Sequence, residues 1–470
     1  MNTANVIINS SYFTFFFIFS SFFQISKLFY YFCNLKIIGR IMTFTPTKYQ
    51  VQCVADGRVC DDSGWMLDFP NSEKPSLIRA IYEKKQLEVK PENGGLYRFA
   101  DWMPLKNLLK NASCPVTYKS EKLAKKLGLK NLYITFNGYY PEIGAKMRTC
   151  SFKETEAYSV CARLSDELRK QVMVVSSAGN TARAFAQVCS DNNINLLLTV
   201  PEDNIDALWF EKPLNPCVKL LCTEHGSDYF DAINLGNIIC ELDGFFAEGG
   251  AKNIARRDGM STTMMSAVTT IGRIPDFYFQ AVGSGTGAIA AWEANLRFIE
   301  DGRFGSNKAR LFVSQNKPFT PMYDAWKAHS RAMLPYDAEQ ARKDAAQICA
   351  KVLSNRKPPY SLAGGLYDAM VDTDGDFFAV TNDEAQKACD MFKELEGIDI
   401  YHAAGVATAS LIQAIENKQV NATDVIMLNI TGGGEALFKE HNDVWYLKPN
   451  HVFKVDASKE EIKNFVQLIS

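Results

Sequence analysis

Surplus charge is the first thing this chain does not have. Its 51 Lys and Arg residues nearly balance 53 Asp and Glu, leaving a formal net charge of −2 over 470 residues. A chain without a basic excess lacks the electrostatic footprint of a nucleic-acid binder. Paired cysteine spacing is also missing: the twelve cysteines are scattered, with no Cys-x-x-Cys, and Cys53 and Cys60 do not make half of a zinc knuckle. No metal is expected, and a chain long enough to bury its own core reads as one carrying reduced thiols rather than a disulfide framework. The first 41 residues contain no Asp or Glu and are crowded with Phe, Ile and Tyr, Phe15-Phe16-Phe17-Ile18-Phe19 among them. They lack a basic start and a small-residue cleavage pattern, and Lys27 interrupts the apolar run before it could span a bilayer. With Met42 directly behind them, residues 1–41 read as an extension from a start codon assigned too early. The expectation is a cytoplasmic protein with no nucleic-acid partner and, if translation starts at Met42, no membrane partner.

What is present begins with Cys150-Ser151-Phe152-Lys153-Glu154, one lysine between a hydroxyl residue and an aromatic, ahead of helical spacing over 155–170. A lysine becomes a nucleophile or base only where burial or a neighbouring cation lowers its pKa, and Lys153 is the candidate for that role. On its own, a lysine near a helix start is usually a solvated surface residue. Upstream, the pattern predicts a strand over 49–54, a helix near 76–85, a helix over 121–127 stopped by Gly128, and a strand over 131–136. A loop then carries Lys146 and Arg148 to Lys153.

After the Lys153 helix, Val172-Met173-Val174-Val175 is a continuous apolar run, followed by the loop Ser176-Ser177-Ala178-Gly179-Asn180-Thr181, a helix and a second apolar run over 196–200. Strand, polar loop, helix, strand is a parallel βαβ unit, and ligands in such sheets sit beyond the carboxyl ends of the strands. Phe277 to Val282 similarly delivers Gly283-Ser284-Gly285-Thr286-Gly287 to a helix. Its glycines let amides approach an anion, two hydroxyls add donors and the helix contributes its positive end. No Gly-Lys-Ser/Thr follows and no acidic residue stands where a ribose would need one, so a terminal phosphate fits better than a nucleotide. The run over 248–259 pairs glycines with three cations, Lys252, Arg256 and Arg257, and suits an oxyanion or a solvated basic helix start about equally. A last apolar run, Val425 to Ile430, ends in Thr431-Gly432-Gly433-Gly434.

A reactive lysine, a phosphate cradle and an Asn-bearing loop in this order resemble the type II fold of pyridoxal 5'-phosphate (PLP) enzymes, the tryptophan synthase β and threonine synthase group. Ser151-Phe152-Lys153-Glu154 is similar to that group's Ser-Phe-Lys-Asp, Ser177-Ala178-Gly179-Asn180-Thr181 to its Ser-Thr-Gly-Asn-Thr, and Thr431-Gly432 to its Thr-Gly turn. Longer stretches, 131–142, 248–260, 280–292 and 364–369, resemble archaeal cysteate synthases, a branch of the threonine synthase family.

The resemblance implies an α/β fold of two open, mostly parallel sheets flanked by helices, with the active site between domains. It implies a large PLP-binding domain over 111–140 and 251–470, a smaller substrate domain over 141–250, and an N-terminal region over 42–110. Lys153 would tether the cofactor and act as acid and base; Asn180 would bond the ring hydroxyl; Gly283, Ser284, Gly285, Thr286 and Gly287 would hold its phosphate; Thr431 would face the ring nitrogen. Ser177 and Thr181 would hold the substrate carboxylate, and Asn253, Arg256, Lys146, Arg148 and Lys252 are the candidates for substrate anions. Arg148-Thr149-Cys150 replaces the Asn-Pro-Thr-Gly of ordinary threonine synthases, and Gly250-Ala251 replace two polar residues ahead of Asn253 and Arg256. The second departure agrees with a shorter substrate than phosphohomoserine, and the first falls where substrate choice is expected to be made. The implied reaction joins O-phospho-L-serine and sulfite into L-cysteate and phosphate, within coenzyme M biosynthesis, in a homo-oligomer. The alternatives are a threonine synthase using phosphohomoserine and water, and a PLP-binding sensor without catalysis.

Overall fold

The computed structural model describes residues 44–177, 179–355 and 358–469. The expected extension over 1–41, the start at Met42 and Ala178 of the Ser/Asn loop lie outside the described residues.

Two parallel sheets organise the chain. The larger has six strands, in the order Asp376–Val380, Arg310–Asn316, Phe277–Ala281, Val425–Ile430, Asn131–Phe136 and Val116–Lys119. All neighbours are parallel except the last pair, which is antiparallel. Its central strands Phe277–Ala281 and Val425–Ile430 are buried nearly throughout because both faces are covered, and the register is unbroken from Val425 opposite Asn131 to Ile430 opposite Phe136. The aromatic rings of Phe277, Phe279, Phe312 and Phe378 pack edge-on and tilted against one another across its strands. The smaller sheet has five strands, all parallel, in the order Phe245–Ala247, Val172–Ser176, Leu196–Pro201, Val218–Thr223 and His451–Phe453. The strand at 451–453 thus sits with the middle of the chain, apart from the other strands of the expected 251–470 domain.

The helix expected near 76–85 is instead the strand Ile78–Tyr82, which pairs antiparallel with Tyr49–Cys53. Its side chains alternate buried and half-buried, so the period is that of a strand, and the sheet partner decides between two readings of one short apolar run. The Lys153 helix covers Lys153–Arg163 rather than running to 170, because Leu164 adopts an extended backbone. Gly128 stops Lys122–Leu127 as expected, in the left-handed conformation. Among the described residues no helix is long and apolar enough to cross a membrane.

Candidate active site

Lys153 is the first residue of its helix, and the turn before it is stitched to the end of the central strand Val425–Ile430. Phe152 N–H donates to the Thr431 carbonyl at 3.0 Å, Gly433 N–H donates to the Cys150 carbonyl at 3.0 Å, and Ser151 bridges Gly432. Cys150 takes a left-handed backbone, φ 52°, to make this turn. Glu154, fully buried, braces it from behind, accepting from Ser113 Oγ, Thr149 N–H and Thr149 Oγ1. The Lys153 side chain is 20 % exposed, and its Nζ lies 3.2 Å from Glu156 Oε2. Burial holds the amine below its ordinary pKa; Glu156 pushes it up, and Arg256 pushes it down.

The glycine loop reaches the same place. A Cβ on Gly287 would meet Gln280 Nε2 at 2.7 Å and Phe152 Cε2 at 3.0 Å, so this loop packs against the residue before Lys153. Side chains at Gly283 and Gly285 would collide with the Val352 carbonyl and with Leu366. Ser284 Oγ and Thr286 Oγ1 are 2.8 Å apart, and Thr286 N–H donates to Ser284 Oγ. Among the described residues no acceptor takes the amide protons of Gly283, Ser284, Gly285 or Gly287. Open amides at the start of the helix Thr286–Asp301 form an anion cradle.

Asn180 begins the helix Asn180–Asn192, and its Oδ1 accepts from Arg183 Nη2 at 3.1 Å. Arg183 is buried, stacks on Trp209, and also donates to the Thr149 and Ala207 carbonyls and to Tyr401 Oη. Arg183 and Tyr401 thereby tie the smaller sheet's loop to the turn before Lys153. Ser177 Oγ accepts from Gly179 and Ala182 N–H, holding the loop that presents Asn180. Thr181 Oγ1 meets Arg256 Nη2 at 3.4 Å.

The expected anion ligands are dispersed. Arg148 is paired with Asp191 and with Glu211 at 2.7 Å, and Lys252 with Asp68 at 2.7 Å. Lys146 is exposed on a short hairpin opposite Tyr139, without an acidic partner among the described residues. Asn253 is fully buried and engaged at both ends of its carboxamide: Oδ1 accepts from Ala255 N–H and Arg163 Nη1, and Nδ2 donates to the Glu248 carbonyl. It caps the helix Ile254–Ile271 and has little left for a substrate. Arg256 alone of these cations stands near Lys153, with both of them on Glu156. Glu156 and Glu248, the acids of this cluster, had one sequence signal between them, the three-residue spacing of Glu156 from Lys153 on a helix. Arg183 carried none.

These residues fit PLP: a cradle that a Cβ would fill, open amides for its phosphate, a partly buried amine of lowered pKa for its aldehyde, and the Thr431 turn joined to that amine's own backbone.

Comparison with known proteins gives the same picture. Residues 115–432 match the family model described as pyridoxal-phosphate dependent enzyme. A protein of Methanosarcina mazei named cysteate synthase is 46 % identical over 419 residues, covering 88 % of this chain and 99 % of its own. A cysteate synthase of Methanocella paludicola is 45 % identical over 395 residues, 84 % of this chain and 91 % of its own. Among solved structures, maize serine racemase superposes with a TM-score of 0.53 at 15 % identity, over 70 % of this chain and 91 % of that one. A tomato threonine deaminase superposes with a TM-score of 0.51 at 18 % identity, over 70 % and 81 %. At those identities the two structures bear on the fold, which is that of type II PLP enzymes.

Proposed function

The chain belongs to the pyridoxal-phosphate dependent enzymes and, within them, to the cysteate synthase family; from that premise we propose that it exchanges the phosphate of O-phospho-L-serine for sulfite, releasing L-cysteate. The likeness over nearly the full length of relatives bearing that name carries the reading.

When bound, PLP spreads the negative charge that develops at the substrate Cα. Lys153 tethers it and, once freed, removes the Cα proton as general base; its partial burial and depressed pKa support this role. Phosphate leaves Cβ with its electron pair, the sulfite sulfur forms the new bond to Cβ, and the Lys153 ammonium returns its proton to Cα. The amides of Gly283, Ser284, Gly285 and Gly287, with the Ser284 and Thr286 hydroxyls, would hold the cofactor phosphate, and Asn180 would bond the ring hydroxyl. Thr431 offers the ring nitrogen a neutral hydroxyl, which does not keep it protonated and so favours replacement over transamination. Ser177 and Thr181, with the loop amides, hold the substrate carboxylate. The two-sheet division supports the proposed large and small domains, with 451–453 assigned to the small one. Resemblance supports a cytoplasmic homo-oligomer serving coenzyme M biosynthesis.

The test is incubation with phosphoserine or phosphohomoserine, each with and without sulfite. Cysteate from phosphoserine and sulfite is expected; threonine from phosphohomoserine would overturn the choice, and cofactor absorbance without turnover would make the chain a sensor.

A further inference from the structure

Glu156 follows Lys153 by three positions on one helix, so the two side chains share a face. Glu156 is fully buried, yet it is not the partner of the lysine alone. Arg256, a hundred positions later in the chain, meets the same carboxylate side-on, Nε at 3.1 Å from Oε2 and Nη2 at 2.8 Å from Oε1. This is the paired, planar contact that fixes a carboxylate in orientation as well as in place. The other side of the guanidinium is held too: Nη1 donates to Glu248 Oε2 at 2.7 Å, and Nη2 also reaches Thr181 Oγ1. Of the five N–H donors of an arginine, four are committed. Glu248 is in turn fixed by the Gly250 amide at 3.0 Å. Arg256 is therefore poorly placed to serve as a primary ligand for a substrate anion. Its geometry is that of a clamp.

We infer that Glu156, held by Arg256, is a positioning residue for Lys153: whenever the amine is not bonded to the cofactor, the Glu156 carboxylate accepts its hydrogen bond and keeps it, as ammonium, at the face where it works. The inference rests on Lys153 being the cofactor lysine. The proton that Lys153 removes from Cα gives an ammonium next to a carboxylate already fixed in place, and the same proton goes back to Cα when the new bond at Cβ is complete. Glu156 itself neither gains nor loses a proton. The arrangement also has the right sign. Burial and Arg256 both favour the neutral amine; Glu156, in contact with it, opposes them most strongly, and Glu248 acts in the same sense more weakly. Without it, the ammonium formed in the proton-removal step loses the carboxylate it touches and is left with Glu248, which is held by Arg256 and Gly250, as its remaining counter-charge.

The test uses the full-length chain before and after cofactor loading. In the cofactor-free chain, acylation of Lys153 is followed by peptide mass spectrometry as a function of pH. Glu156→Gln is expected to move the midpoint down by at least about one unit, a tenfold change in proton affinity, while Glu156→Asp restores most of it. In the loaded enzyme, Glu156→Gln is expected to lower kcat by at least about tenfold with KM for phosphoserine changed less than twofold, the pattern of a group felt after binding. An unmoved acylation midpoint in Glu156→Gln overturns the inference whatever the activity. Should that variant fail to fold, Arg256→Lys reads the clamp: a fall in kcat at constant KM supports it, and a raised KM at constant kcat overturns it by making Arg256 a substrate ligand. Failure of the underlying reading is seen separately. A Lys153→Ala chain that still retains cofactor after borohydride reduction would place the tether elsewhere.

Discussion

Replacing Gly138 with Ala puts a methyl group 2.2 Å from the Gly433 carbonyl oxygen and 2.9 Å from its carbon. Neither atom belongs to a flexible side chain, so relief requires the Gly432-Gly433 turn to withdraw by more than about 1 Å to reach an ordinary contact. Gly433 uses its amide on Cys150 and its carbonyl on Tyr139, at 3.0 and 3.1 Å. Losing both bonds costs about 1 kcal/mol each, and the overpacking itself adds about 1–3 kcal/mol. The expected loss of stability is therefore roughly 3–5 kcal/mol, which a domain holding about 5–15 kcal/mol survives. The same turn carries the Thr431 carbonyl that receives Phe152 N–H, so its displacement reaches Lys153, and cofactor affinity should fall at least about tenfold. Denaturant unfolding and titration of cofactor absorbance measure the two effects. Gly128→Ala is the control: it has φ +71° and no atom within 4 Å. It should cost about 1–2 kcal/mol for the left-handed backbone and leave cofactor affinity alone. If Gly138→Ala behaves like Gly128→Ala in both assays, the stitching of Lys153 to the Thr431 turn does not position the lysine.

Lys153→Ala should remove the absorbance band of lysine-bound cofactor and all cysteate formation while leaving the fold intact by circular dichroism. Arg183→Lys should destabilise by about 2–4 kcal/mol and weaken cofactor binding, because one ammonium cannot replace a planar donor serving Thr149, Ala207, Asn180 and Tyr401 together; thermal melts with and without cofactor check it. Burial pushes the Asp191 carboxyl up, but Arg148 overcomes this and holds it below its ordinary value of 3.8. Its folded pKa is thus depressed, so its stabilisation is present above about pH 4 and is lost as pH falls through the folded value. Melts of Asp191→Asn across pH 2–6 should show lower stability than the parent near pH 6, with the gap closing in acid.

The strand Val425–Ile430 was legible because it is buried on both faces and opens with four consecutive apolar residues, and Asn131–Phe136 because its β-branched and aromatic residues suit a strand. Lys153, the glycine loop and Thr431 were legible as local motifs, since each sits at the carboxyl end of a strand or the start of a helix. Ile78–Tyr82 was not, because Leu77, Ile78, Ile81 and Tyr82 suit a helical stripe as well as a strand until Tyr49–Cys53 pairs with it. The cations were legible as charges but not as partners. Asp68 lies 184 positions from Lys252, and Asp191 lies 43 from Arg148, so pairing is decided by topology and not by any local spacing. Glu156 shows the same division: its distance from Lys153 is written in the helix, and its clamp by Arg256 is written only in the fold.

The strand His451–Phe453 has a consequence for how the molecule is made. Its neighbours across the sheet, Leu221 to Thr223, are synthesised about 230 positions earlier. At about 5–20 residues per second, the growing chain carries an incomplete sheet for roughly 10–50 s, with the edge of Val218–Thr223 open to any other strand. The other sheet must draw Val425–Ile430 between Asn131–Phe136 and Phe277–Ala281 in the same late interval. Both sheets therefore wait for strands from the last tenth of the chain, the larger for 425–430 and the smaller for 451–453, and their open edges stay available to premature pairing until then.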